Sequence, residues 1–180
     1  DRAIGIIEMK SIARSVQVAD ACLKSAAVDL SWRTLCPGKC MLILMGNLAN
    51  VKASLEVAQA MADGYLTDTL LLGNLHQDVL PALAGISDVK RGEALGVVET
   101  FTVPAAIRAA DTGVKTARVD IIDIRAAQGL GGKALAYFTG SVADVSLALD
   151  TVKSVLNEDG SLLDTVMIAN PHQGIWENML

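Results

Sequence analysis

Apolar positions along the first half of the chain form two kinds of pattern. Short continuous runs, such as residues 3–9 and 39–45, have the length of buried strands. Between them Val16, Ala19 and Leu23 recur at helical spacing, so that stretch predicts a helix. The predicted strands are residues 3–9, 28–34, 39–45 and 69–75, with one helix from an N-cap at Ser11 to Ala26, a second over residues 49–63, and a short helical tail.

The second half shows the same order of elements. Thr102 can cap the first helix of this half, and Pro104 lies in the first turn, where its missing N–H costs nothing. Ser141 with Asp144 resembles a capping box at the start of the next helix. The predicted strands are residues 94–100, 119–125, 133–139 and 163–169, with a helical stripe of Ile107, Ala110, Val114 and Ala117 and a second helix over residues 143–156.

The two halves are copies of one sequence unit. The segment Ala3-Ile4-Gly5-Ile6-Ile7-Glu8 recurs 91 residues later as Ala94-Leu95-Gly96-Val97-Val98-Glu99. Matches continue in one order along the chain at offsets of 94 and then 96, which chance does not produce. Further pairs are Asp20 with Asp111, Lys24 with Lys115, Asp29 with Asp120, Gly38 with Gly132, Gly46 with Gly140, Val51 with Val145 and His76 with His172.

The order of elements in each copy is β-α-β-β-α-β, which is typical of a split βαβ unit. We therefore predict an α/β (α+β) fold of two tandem ferredoxin-like domains, each with a four-stranded antiparallel sheet and flanking helices. A mostly polar stretch with a glycine near each end, residues 85–92, predicts the boundary. The predicted domains are residues 1–88 and 89–180.

Composition narrows the class of function. The chain is 52% hydrophobic and 3% aromatic, so its apolar mass is aliphatic, and no run reaches the length of a membrane helix. This aliphatic excess favours burial in an oligomer. The net charge of −5 argues against nucleic-acid partners and against binding to a membrane surface. Three cysteines without the spacing of a disulfide framework favour a reducing, cytoplasmic location.

Four duplicated segments carry a resemblance to a known family. They are residues 3–8, residues 19–26, Gly38-Lys39 and Asn170-Pro171-His172. With them, the whole chain resembles the bacterial microcompartment (BMC) shell-domain proteins in their tandem-domain form. The resemblance implies a structural protein rather than an enzyme. It also implies a homotrimer of six domains, forming a pseudohexagonal tile that packs edge to edge with other shell proteins around enclosed enzymes.

The resemblance also implies that the loops between the two central strands of each copy, residues 35–38 and 128–132, ring the axis of the tile. In the first loop Leu35, Pro37 and Gly38 are candidate pore-lining residues beside Cys36. Glycines let a chain run close to an axis without side-chain collisions. The second loop has no cysteine, and its candidate pore-lining residues are Gly129, Leu130, Gly131 and Gly132.

Cys36 is the candidate metal ligand. A single cysteine cannot bind a cluster, but three symmetry-related thiolates can hold three irons of a [4Fe–4S] cube. The resemblance implies such a cluster, one per trimer, carried by the cysteine of a Cys-Pro-Gly loop. Its function would be electron transfer across the shell, or cluster handling for an enclosed redox enzyme. Cys40, which begins an apolar run, and Cys22, on the first helix, are predicted to be buried in the core.

Three alternatives remain open beside the cluster. In the first, Cys36 is only an incidental thiol in a loop. In the second, the same tile holds no cluster and conducts metabolites through an open pore. In the third, the protein is an enzyme with Cys36 as its nucleophile. The enzyme would need a general base close to Cys36, and no such arrangement is evident in the sequence. The Gly-Lys pairs do not form a phosphate loop, because Arg33 and Ala127 stand where the first glycine should be.

Four residues are candidates for contacts at the edge of the tile. Lys24 and Lys115 match the lysine that family members place there, and His76 and His172 follow the last predicted strand of each copy. Family members commonly carry Arg before the Pro-His pair, where this chain has Asn170. Contacts between tiles are therefore expected to differ in detail.

Overall fold

A computed structural model of the chain describes residues 2–178 and 180. In these residues each sequence repeat forms four strands, two long α-helices and a short α-helix, and the first repeat has in addition a 3₁₀ helix (Asp63–Tyr65). The elements of the first repeat are β1 (Ala3–Met9), α1 (Ile12–Ser25), β2 (Asp29–Leu35), β3 (Lys39–Gly46), α2 (Leu48–Ala62), β4 (Leu66–Leu72) and α3 (Val79–Leu83). Those of the second are β5 (Ala94–Thr100), α4 (Val103–Thr116), β6 (Val119–Ala126), β7 (Ala134–Gly140), α5 (Val142–Asn157), β8 (Leu162–Ala169) and α6 (Gln173–Asn178).

The strands of each repeat form an antiparallel sheet of their own. The strand orders are β2-β3-β1-β4 and β6-β7-β5-β8, so equivalent strands occupy equivalent places. Ile6 lies opposite Ile43 in the first sheet, and Val97 lies opposite Tyr137 in the second. The predicted fold of two ferredoxin-like units, each with a four-stranded antiparallel sheet, is confirmed.

Side-chain caps begin the helices as the sequence predicts. Ser11 Oγ accepts the backbone N–H of Arg14, and Thr102 Oγ1 accepts that of Ala105. Ser141 Oγ accepts the N–H of Asp144 at the start of α5. These bonds satisfy amide groups that have no partner inside the helix. None of the helices in the described residues is both long and apolar enough to cross a membrane.

The apolar stripe predicted on α1 faces the core only in part, because Ala19 packs against it whereas the two larger residues do not. Val16 and Leu23 are 60% and 52% exposed, and the buried face instead carries Ser15, Val18 and Cys22. At Cys22 this face approaches α2 closely, because Ser54 Oγ donates to the Cys22 carbonyl at 3.0 Å. Small side chains permit this approach and bulky ones do not. On α4 the predicted stripe is buried at Ile107 and Ala110.

The last strand of the first repeat begins earlier than the sequence pattern predicts. We expected residues 69–75, whereas β4 spans Leu66–Leu72. Helix α2 ends at Ala62, and a single 3₁₀ turn that begins with a positive φ at Asp63 leads directly to Leu66, which pairs with β1. Pairing ends where Leu72 lies opposite Ile4, and Gly73 follows. The strand register with β1, rather than the leucine run, decides the bounds.

The chain packs as two compact units whose limits differ from those of the sequence repeats. Of the described residues, the first unit holds those up to Leu75 together with residues 127–132, and the second holds residues 76–126 and those from Lys133 onward. The loop after β6 thus belongs to the first unit, and the tail after β4 belongs to the second. The division at residue 88 stays a prediction about the sequence repeat.

Candidate functional site

The loop that carries Cys36 is a tight connection between β2 and β3. Leu35 ends β2 and lies opposite Lys39, the first residue of β3. Three residues make the turn, with a cis bond between Cys36 and Pro37 and a φ of 61° at Gly38. Those three residues are exposed, whereas Leu35, a predicted pore-lining residue, is 4% exposed at the end of its strand. The turn therefore presents its cysteine to solvent.

The loop of the second repeat lies beside this turn in the first compact unit. Gly129, Gly131 and Gly132 have φ values of 69°, 62° and 85°, a region that glycine adopts readily. A Cβ placed on Gly132 would lie 3.2 Å from Lys39 Nζ and 3.6 Å from Pro37 Cδ. The glycine thus allows the two loops to approach, and a larger residue would meet Lys39.

The three thiols occupy two different environments. Cys22 and Cys40 are buried in the core, as predicted, and Cys36 is exposed. Burial raises the pKa of Cys22 to about 11. Burial is also the main cause that raises the pKa of Cys40, with a smaller contribution from the charge of Glu8. Cys36 is therefore the thiol positioned to react or to bind an external group.

The donor set of one chain does not complete a metal site. Within residues 2–178 and 180, no group of three His, Cys, Asp or Glu side chains could hold a metal ion. Within the same residues, one chain supplies one exposed thiol, that of Cys36. A [4Fe–4S] cluster fits this donor set only when copies of the chain each contribute their Cys36.

The predicted edge lysines have different surroundings in the two repeats. In the second unit, Asp111 accepts the backbone N–H of His76 at 2.8 Å and contacts Lys115 at 2.6 Å. Lys24 contacts Asp20 at 2.6 Å, and both of these side chains are exposed. Both aspartates are repeat matches in the sequence, but their role was not predicted from it. The available signal was the spacing of four residues between each Asp and its Lys.

Comparison with protein families matches the BMC domain twice, at residues 3–75 and 94–171. The chain is 39% identical to the bacterial microcompartment shell protein PduT of Citrobacter freundii, over 99% of this chain and 98% of that protein. It is 31% identical to the carboxysome assembly protein CcmO of Synechococcus elongatus, over 98% of this chain and 68% of that protein.

A solved structure shows the same fold. A microcompartment protein from Desulfitobacterium hafniense matches with a TM-score of 0.87 and 38% identity, covering 98% of each chain. The relatives PduT and CcmO are shell and assembly proteins, so the thiol-enzyme alternative is set aside in favour of a structural protein. The chain belongs to the bacterial microcompartment shell proteins and carries two BMC domains in tandem.

Proposed function

We propose that three copies of this shell protein form a pseudohexagonal tile, and that the tile packs edge to edge with other shell proteins in the shell of a cytoplasmic microcompartment. The support is a difference in burial between equivalent helices. Ile12 and Val16 on α1 are 40% and 60% exposed, while Val103 and Ile107 at the matching places on α4 are fully buried. A neighbouring chain that covers α1 would remove the difference.

A second exposed aliphatic surface supplies the other side of this contact. Strand β8 lies at the edge of its sheet and exposes large apolar side chains on both of its faces. Burial of such surface contributes roughly 25 cal/mol per Å² of apolar area. Two unlike surfaces on one chain favour a heterologous, head-to-tail ring. The exposed apolar residues of β8 are Leu163, Val166, Met167 and Ile168.

We further propose that the tile binds one [4Fe–4S] cluster through the Cys36 thiolates of its three chains. The observation that carries this proposal is the exposure of Cys36 in a turn that adjoins a glycine-rich loop without a thiol. Three of six loops then offer a ligand, which suits a site with three thiolates. When bound, such a cluster supplies one-electron chemistry, and the tile would pass electrons across the shell or serve an enclosed redox enzyme.

A tile with an open pore is the second candidate. Gly38, Gly129 and Gly131 carry no side chain, so these positions bring little bulk toward the proposed axis. If no cluster closes the axis, small polar metabolites could pass there. Both candidates use the same trimer and differ in what Cys36 holds.

Anaerobic reconstitution with iron and sulfide tests the choice between the two candidates. The full chain should gain a brown colour that bleaches on reduction, at about four irons per three chains. Cys36→Ser should lose the cluster and keep the trimer, because the turn is a small part of the interface. Cys22→Ala is the matched control, since it removes a buried thiol, and it should keep near-full iron. A Cys36→Ser protein that retains the cluster spectrum would rule out this site.

A further inference from the structure

Asp111 on α4 anchors the start of the tail that follows β4. Its Oδ1 accepts the backbone N–H of His76 at 2.8 Å, and its Oδ2 contacts Lys115 Nζ at 2.6 Å. The Asp111 side chain is only 7% exposed. Hydrogen bonds to a shielded carboxylate are among the stronger ones in proteins. This contact therefore holds both the tail and the lysine in place.

Every part of this arrangement occurs a second time in the sequence repeat. Asp20 and Lys24 on α1 form the same ion pair at the same distance of 2.6 Å. The backbone around His172 repeats that around His76. In each case the ring Nδ1 accepts the N–H two residues further on, and the histidine carbonyl accepts the N–H three residues further on.

The second arrangement is incomplete within one chain. Over residues 2–178 and 180, Lys24 is the only partner of the Asp20 carboxylate, and the two side chains are 75% and 62% exposed. We infer that the backbone N–H of His172 from a second copy of this chain donates to Oδ1 of Asp20. This inference rests on the proposed ring of three chains and names the contact that joins neighbours in it.

The contact has a consequence for the edge of the tile. An exposed ion pair such as Asp20–Lys24 contributes little and does not fix its side chains. Once the tail of the next chain covers Asp20, Lys24 is held as Lys115 already is. The tile then presents equivalent lysines at all six of its domains only after the ring has closed. Ring closure therefore precedes assembly of tiles into a sheet.

Sedimentation equilibrium of the full chain tests the contact. Asp20→Ala should weaken association by about tenfold or more at each interface, because it removes a hydrogen bond to a charged group. The matched control is Asp29→Ala, which removes another exposed carboxylate and its ion pair with Arg2. The equivalent Asp120 is also exposed, so this position lies outside the predicted contact and association should not change.

The outcomes separate this inference from the proposed function. If the unaltered chain forms a trimer and Asp20→Ala associates equally well, the inference fails and the tile stands. If the unaltered chain does not form a trimer, both fail. Circular dichroism of each variant checks the fold, which substitution of the exposed Asp20 on α1 or Asp29 on β2 should leave intact.

Disulfide trapping in a Cys36→Ser background reports the contact directly. Asp20→Cys combined with His172→Cys should give covalent dimers and trimers on a denaturing gel. The control is Asp111→Cys combined with His76→Cys. Because the equivalent contact lies within one chain, this pair should form a disulfide inside that chain and give no covalent oligomers on the gel. If the control pair forms its disulfide and the Asp20→Cys, His172→Cys pair gives no covalent dimers or trimers, the inference is overturned.

Acetylation of the trimer by a small reagent checks the consequence for the lysines. Lys24 and Lys115 should react at similar rates in the unaltered trimer, and Lys24 should react faster than Lys115 in trimeric Asp20→Ala. A much faster reaction of Lys24 in the unaltered trimer would contradict the proposed order of assembly.

Discussion

The three cysteines show how strongly the surroundings of a residue decide its chemistry. Cys22 packs between α1 and α2, where its Sγ lies 3.5 Å from the Ser54 carbonyl. Cys40 lies at the start of β3 with its Sγ 3.5 Å from the Ser11 carbonyl. Both thiols are shielded, and desolvation favours their neutral form. Cys36 differs from them because its turn holds it outside the core.

Thiol alkylation of iron-free protein at pH 8 should modify Cys36 alone. The thiolate is the reactive form, and a pKa of about 11 leaves only a small fraction of Cys22 ionised at that pH. Cys22 and Cys40 should react only after unfolding. Mass spectrometry of peptides, with and without denaturant, measures this. Equal labelling of all three cysteines in the folded chain would contradict the described burial.

Stability should fall at alkaline pH in a way that depends on Cys22. The folded state raises the pKa of this thiol from 9.0 to about 11, so the folded chain binds the proton more tightly than the unfolded chain. The contribution of the protonated Cys22 thiol to the free energy of unfolding is complete below pH 9 and is lost as the pH rises toward 11. Urea denaturation across this range should show a shallower decline for Cys22→Ala. If the free energy of unfolding of Cys22→Ala falls as steeply with pH as that of the unaltered chain, this thiol is not the source of the decline.

Equivalent helices pack on the two sheets through equivalent glycines. A Cβ on Gly5 of β1 would lie 2.9 Å from Val51 Cγ1, and one on Gly96 of β5 would lie 2.8 Å from Val145 Cγ1. Both valines belong to the helix that follows the third strand of the repeat. The missing side chains therefore set how closely α2 and α5 approach the strands beneath them.

Gly5→Ala and Gly96→Ala should each reduce the free energy of unfolding by about 1–3 kcal/mol, since each overfills a packed core. Gly64→Ala is the control, because a Cβ there would meet nothing within 4 Å. Urea denaturation monitored by circular dichroism measures the three variants. Full stability of both core variants would show that the helices move aside without cost.

At the scale of the whole molecule, the proposed tile rests on a helix face that is exposed on one repeat and buried on the other. Val16 is 60% exposed and its counterpart Ile107 is fully buried. Leu147 on α5 is also 50% exposed, but its counterpart Ala53 is exposed as well. The comparison of the two repeats therefore assigns the α1 face, and not the α5 face, to the proposed contact between chains.

The protein should sediment at three times the 18.8 kDa mass of one chain. Val16→Lys should shift this equilibrium toward the monomer, because it would place a charge in a buried apolar interface. Leu147→Lys, at a comparably exposed position, should leave the trimer unchanged. A stable monomer of the unaltered chain at micromolar concentration would defeat the proposed tile.

The sequence alone predicted the repeat, the order of strands and helices, the side-chain caps and the burial of Cys22 and Cys40. These features depend on local chemistry: strand-length aliphatic runs, cap residues before helices and matches that recur in one order. The resemblance to BMC shell proteins rested on the same duplicated segments, and the family is confirmed.

Tertiary structure decided what depends on the approach of distant segments. On α1 the buried face carries Ser15, Val18 and Cys22 rather than Val16 and Leu23, because this is the side on which Cys22 contacts Ser54 of α2. The bounds of β4 follow from its register with β1. The tail after β4 joins the second compact unit because Asp111, far along the chain, accepts the N–H of His76. Sequence periodicity records which residues are apolar, but the partner that covers each face is determined only when the chain has packed.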